Sequence, residues 1–145
     1  MTELAFNLTF PLAVPFWALM IVAPHWRWTR TIAGSPLIVL APLVPYLFAV
    51  IPIFPEFAAE MVNPSFDGVR EIVSTADGTA LVWAHLIAYD LFVGRWMYLD
   101  SRERGIPALV MAPVLVLTIV LSPFGLVTYL ALRTRWAAPS ASARP

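Results

Sequence analysis

Cysteine and lysine are absent from this sequence, and histidine occurs only at His25 and His85. Without thiols there can be no disulfide, iron–sulfur cluster or thiolate metal site. Two histidines are too few for the multi-histidine boxes of membrane di-iron enzymes. A zinc site needs three or four ligands, and no cluster supplies them; no metal and no cofactor is expected. All nine basic residues are arginines, and no run of them resembles a nucleic-acid patch, so nucleic acid is not an expected partner. Charge is also scarce. Only 12% of residues are charged, with a formal net charge of zero, against about 25% in an average soluble domain.

What is present in excess is apolar surface. The 145 residues, enough for one domain, are 60% hydrophobic. A chain this short leaves much of its surface outside any core, and lipid is the solvent that tolerates such a surface. The start, Met1-Thr2-Glu3, lacks the basic region of a secretory signal, so the first apolar segment is expected to be retained.

A spanning helix needs about 20 mainly apolar residues. Four segments qualify: about 4–23, 36–54, 80–99 and 107–132. The predicted class is therefore all-α, an integral membrane four-helix bundle occupying residues 1–135 and followed by a disordered tail at 136–145. Membrane lipids are the surrounding partner. Pro11, Pro15, Pro42, Pro45, Pro52, Pro113 and Pro123 lie inside the spans. Each removes a backbone donor and crowds the preceding turn. The helices are expected to kink, either leaving a cavity between them or simply shaping their packing.

The first loop carries Arg27 and Arg30 between Trp26 and Trp28, which suits a headgroup layer. The segment 55–79 is acidic, with Glu56, Glu60, Asp67, Glu71 and Asp77 against Arg70. It reads as a long loop holding one short helix over about 65–74, because Phe66, Val69, Ile72 and Val73 recur at helical spacing. Residues 100–106 form a tight charged turn. Arginines near the spans slightly favour loops one and three on the cytoplasmic face.

The third segment carries the chemistry. Trp83 to Asp100 reads WAHLIAYDLFVGRWMYLD, and places His85, Asp90 and Arg95 at bilayer depth. A charge there costs about 2.5–3.5 kcal/mol on insertion scales, so each must find a partner or a polar cavity. At about 100° per residue, His85, Tyr89, Phe92 and Trp96 share one face. Asp90 lies on an adjacent stripe with Trp83, Leu86, Gly94 and Met97. Five-residue separations are beyond ordinary pairing on one helix. The three ionisable groups therefore reach other helices or line one pocket together. Each also has a structural reading: Arg95 snorkelling to headgroups, Asp90 paired with Arg95 or with a hydroxyl such as Thr118, His85 as a packing residue. Gly94, one turn from Asp90, permits close helix approach or leaves room for a ligand.

The same stretch resembles the signature of the ABA-DEFICIENT-FOUR-like family, roughly W-x-H-x-x-x-x-D-L-F-x-G-R-W-x-x-x-D. Trp83, His85, Asp90, Leu91, Phe92, Gly94, Arg95, Trp96 and Asp100 match it. APHWRWTR at Ala23–Arg30 is similar to the family's A-P-x-W-x-x-T-R. SPFGLVTYL resembles its G-P-x-G-L-x-x-Y/H, with Ser122 in place of the first glycine. The resemblance covers nearly the whole chain, least well in the acidic segment. It implies a four-helix membrane protein of carotenoid metabolism. For the plant branch it implies isomerisation of the epoxide violaxanthin to the allene neoxanthin.

On that resemblance the catalytic candidates are His85 and Asp90 as acid and base, with Arg95 steadying charge on oxygen. Trp83, Tyr89, Phe92, Gly94 and Trp96 would contact the carotenoid or another isoprenoid. The alternative is a non-catalytic pigment- or lipid-binding subunit, alone as a homo-oligomer or within a larger membrane complex, with Trp17 among the stacking aromatics. A transporter or assembly factor ranks last, for want of an internal repeat. The expected location is a bacterial inner membrane.

Overall fold

The computed structural model describes residues 1–136, and all regular structure among them is helical. In chain order the helices are α1 (Thr2–Val22), α2 (Arg27–Gly34), α3 (Leu40–Val50), α4 (Phe54–Val62), α5 (Phe66–Ser74), α6 (Ala76–Glu103), α7 (Ala108–Val120) and α8 (Ser122–Arg133). Short 3-10 turns at Pro36–Val39 and Ile51–Ile53 make Pro36–Val62 one helical run. The expected tail lies, apart from Trp136, outside the described residues.

The all-α class and the first segment agree with the sequence reading. Two runs, Thr2–Val22 and Pro36–Val62, are long and apolar enough to cross a membrane. The first loop holds helix α2, the third segment runs Ala76–Glu103 and so takes in part of the turn expected at 100–106, and three further differences have local reasons. The second run continues eight residues past 54, through Val62. Glu56 and Glu60 made that stretch look like loop, yet Pro55 sits in the first turn of α4, where a missing donor costs nothing, and Glu56 faces the favourable amino end of the helix dipole. The segment 55–79 is thus mostly helix. The short helix expected within it is α5. The Ser65 hydroxyl accepts from the Gly68 amide at 3.0 Å, and Glu60 accepts from both the amide and the hydroxyl of Ser65. This serine-capped start is a signal readable in sequence.

The third difference is a break. The expected single span 107–132 is two helices of 13 and 12 residues, parted at Leu121, whose φ −142° and ψ 72° lie outside the helical region. Pro123 has no amide for the carbonyl four residues back. Past the break the chain turns so tightly that a β-carbon at Gly125 would overlap the hydroxyl and backbone of Thr118. At about 1.5 Å per residue each half is roughly 20 Å long, short of the about 30 Å hydrocarbon core. Four continuous spans are therefore not what these residues form.

The chain clusters into two compact units, residues 1–14 with 39–89, and residues 15–38 with those from 90 onward. In the first unit Ala49, Val50, Ala80 and Leu81 form a core, with Tyr46, Ile53 and Phe57 packed on it. Alanines at these contacts let helices approach closely. The Thr2 hydroxyl donates to the Asp77 carboxylate, joining the start of α1 to the start of α6. In the second unit Trp17, Met20, Leu91, Met97, Met111, Val114, Leu115 and Tyr129 are buried. The Trp17 ring fills the place a β-carbon at Gly94 would take, so Gly94 serves close approach.

Gly125→Val should lower stability by about 1–3 kcal/mol through overpacking against Thr118. Gly34→Ala, whose β-carbon would meet nothing within 4 Å, should leave it unchanged or slightly higher. Thermal unfolding in detergent, followed by tryptophan fluorescence, checks both. Equal melting temperatures for the two variants would contradict the tight turn.

Candidate functional site

Helix α6 runs unbroken for 28 residues and carries every residue singled out from the signature. Its first half belongs to the first unit. There His85 is exposed, stacked on Tyr89 with ring centroids 6.5 Å apart and planes 3° apart, and tilted against Tyr46 at 6.3 Å. Trp83 stacks on Phe6 at 5.4 Å. Among the described residues His85 makes no side-chain hydrogen bond. Tyr89 and Phe92 are about half exposed, so the aromatic face predicted to line a pocket is open.

In the second unit Asp90 is half-buried, within reach of the Ser122 hydroxyl at the start of α8. Thr118, the other hydroxyl considered for it, instead donates to the Val114 carbonyl at 2.8 Å and lies 3.9 Å from the Met97 sulfur. Arg95 does not pair with Asp90. Its Nη2 donates to the Gly34 carbonyl at 2.6 Å and its Nε to the Ser35 carbonyl at 3.2 Å. The guanidinium thus satisfies carbonyls at the carboxyl end of α2, where cations are favoured. Trp96 meets Tyr129 edge-on at 5.5 Å and lies under the Arg133 guanidinium at 5.6 Å. Of the predicted residues, then, His85 and Tyr89 are brought together, whereas Asp90 and Arg95 have separate partners.

The most heavily bonded group is one the sequence reading treated only as the end of a span. The Asp100 carboxylate accepts from Arg104 Nε at 2.8 Å, from Arg133 Nε at 2.8 Å and Nη2 at 3.2 Å, and from the Tyr129 hydroxyl. Tyr129 is wholly buried and Asp100 is 14% exposed. Burial by itself would raise this carboxyl. The donors outweigh it, Arg133 first, then Tyr129 and Arg104, and hold the pKa down to about 2. A carboxylate so held stays ionised at neutral pH, accepting hydrogen bonds and neither taking up nor giving a proton. The available signals were the i, i+4 spacing of Asp100 and Arg104 and the tyrosine of the last motif. Nothing local joins Asp100 to Tyr129, 29 residues away.

Among the described residues no group of three or more histidines and carboxylates is placed to hold a metal ion. The model of the family described as ABA DEFICIENT 4-like matches residues 4–129. The chain belongs to that family. It is also 34% identical, over 100 residues, to Protein ABA DEFICIENT 4, chloroplastic, of Arabidopsis thaliana. That alignment takes in 64% of this chain and 45% of the relative, so the chain matches less than half the length of the curated protein. The relative is chloroplastic by name, which lends no support to a bacterial inner membrane. No solved structure matches the chain. The family match takes in both the signature of α6 and Tyr129, its last residue.

The depressed pKa fixes the sign of a pH effect. A group held lower when folded than its ordinary 3.8 contributes stability that is present above that value. This stability is lost as pH falls through about 2. The Asp100 cluster should therefore contribute on the order of 2 kcal/mol at neutral pH, disappearing between about pH 4 and pH 2. Acid titration of the detergent-solubilised chain should show this step for the wild type and not for Asp100→Asn, which should already be destabilised at pH 7. An unchanged acid profile in the variant would remove Asp100 from this role.

Proposed function

We propose that this chain is an integral membrane protein of carotenoid metabolism. In this reading α1, the run Pro36–Val62 and α6 cross the bilayer, with the broken α7–α8 pair as the fourth crossing. Exposure of large apolar side chains supports it: Leu37, Phe48, Ile51, Leu109, Val120, Phe124 and Val127 each show about half or more of their surface. Large apolar side chains left exposed in such number suit a surface that meets lipid. Membership of the family is the observation that carries the carotenoid assignment, joined to an open aromatic face of His85, Tyr89 and Phe92 on α6.

The activity we assign is acid–base isomerisation of a xanthophyll epoxide. A proton goes to the epoxide oxygen as its C–O bond breaks, giving a hydroxyl. A proton leaves the neighbouring polyene carbon, and its electron pair becomes the second double bond of an allene. Nothing is oxidised or reduced. Asp90 and His85 take the proton-transfer roles. Arg95, part of whose guanidinium is held by the Gly34 and Ser35 carbonyls, supplies positive charge for the oxygen. Trp83, Tyr89, Phe92 and Trp96 contact the polyene, while Gly94, covered by Trp17, serves the packing behind them. Positioned acids and bases contribute about 10²–10⁴-fold each.

The openness of the Tyr89–Phe92 face favours a second reading, a carotenoid- or lipid-binding subunit without chemistry, in which that face meets a second copy or a larger membrane complex.

Membranes carrying the full chain and supplied with violaxanthin should form the allenic product. Asp90→Asn and His85→Ala should each lower turnover at least about 10²-fold at unchanged protein level. Full turnover in both variants would end the acid–base assignment. Substrate retained by purified protein but recovered unchanged would select the binding role.

A further inference from the structure

On the second unit, apart from His85, Asp90 and Arg95, lies a cleft of about 630 Å³. It is bordered by His25, Trp26, Arg27 and Arg30 on one side and by Tyr98 and Arg102 on the other. Its lining includes three arginines and no carboxylate. The charge is not cancelled elsewhere. Among the described residues the ion pairs are Arg70–Asp67, Arg104–Asp100 and Arg133–Asp100, so Arg27, Arg30 and Arg102 have no counter-ion.

The nitrogens themselves are partly unused. Arg102 is anchored by one terminal nitrogen, which donates to the Ile106 carbonyl. Its Nε is buried and has no partner among the described residues. Its other terminal nitrogen, Nη1, is not buried and makes no hydrogen bond among the described residues, which leaves it for an acceptor in the cleft. Helix α2 begins at Arg27 with no side chain capping it, leaving first-turn amides at the positive end of its dipole. Arg27 and Arg30, one turn apart, project from the same stretch of that helix. The rim is rigid. The Tyr98 hydroxyl donates to the Pro24 carbonyl at 2.8 Å, Thr29 donates to the Ala23 carbonyl at 2.7 Å, and Gly105 makes the turn with φ +68°.

We propose that this cleft binds a phosphoryl anion, held by Arg27, Arg30 and Arg102. Guanidinium forks match phosphate oxygens two at a time, and three of them exceed what a single carboxylate needs. Trp26 and Trp28 are exposed beside the cleft and suit the headgroup layer. The phosphoryl group belongs either to an anionic lipid or to a soluble phosphate. This inference does not depend on the carotenoid assignment.

The test uses the full chain in neutral detergent, titrated separately with phosphatidylglycerol, phosphatidylcholine and inorganic phosphate. Bound adducts are read by native mass spectrometry and affinity by calorimetry. Phosphatidylglycerol or phosphate should bind the wild type at least about tenfold more tightly than Arg27→Gln/Arg30→Gln, the loss of two charge-assisted contacts. Arg70→Gln, on the exposed α5, should bind as the wild type does. Preference for phosphatidylglycerol over phosphate assigns the anion to a lipid headgroup, and the reverse to a soluble phosphate; either supports the site. Arg27 and Arg30 are exposed, so the double variant should fold, checked by circular dichroism. Arg102→Gln should also weaken binding, but the test does not need it to fold. Equal affinity in the double variant, or no binding of either anion by the wild type, overturns the proposal.

Discussion

The second unit depends on one carboxylate. Asp100 draws side chains from the end of α6, the turn beyond it and α8 onto two oxygens, and those side chains in turn order their neighbours. Arg133 lies over Trp96, Trp96 meets Tyr129, and Arg104 also donates to the Trp136 carbonyl at 3.0 Å. Desolvating a carboxylate is costly, and a buried ion pair gives little net stability over an apolar replacement. Losing one partner is another matter, because the remaining charges would be stranded. Such a cluster therefore specifies which helices meet more than it adds to the strength of their meeting.

Farther along α6, the same unit is fastened by bonds of a different kind. Tyr98 and Arg95 both donate to main-chain carbonyls of the segment 24–35. Side chains from one helix thereby satisfy backbone groups that a short helix and its flanking turn leave over. Within three turns, α6 holds α8 through charge and the α2 segment through carbonyl capping. Conserving the geometry of this unit thus requires long polar side chains on α6 in addition to its apolar ones.

What could be read from the sequence followed from how local each signal was. Helix α1 was legible because it carries no charge beyond Glu3, and α5 because Ser65 and a helical run of apolar residues stand together. The close approach at Gly94 was legible as a need for a small residue, although not that Trp17 would meet it. Helix α4 was hidden by Glu56 and Glu60, whose charges look like loop until their position at a helix start is known. Pro123 was visible, but a proline can bend a helix or end it. The choice was made by the fit of Gly125 against Thr118. Apart from Arg104, the partners of Asp100 and Arg95 lie 29 to 61 residues away, and no periodicity encodes such distances. For Asp100 and Arg95 the residue types were therefore legible without these pairings.

The interruption at Leu121 matters for more than length. Had the helix continued, the amide of Ser122 would be tied to a carbonyl in the preceding turn and its hydroxyl would be one more group along a stripe. Because α8 starts afresh there, Ser122 is the first residue of a new helix, and its hydroxyl lies within reach of the Asp90 carboxyl. A terminus of this kind carries partial positive charge. The discontinuity thus brings a helix start within reach of a carboxylate on another helix, and links through Ser122 a proline and an aspartate that stand 33 positions apart in the chain.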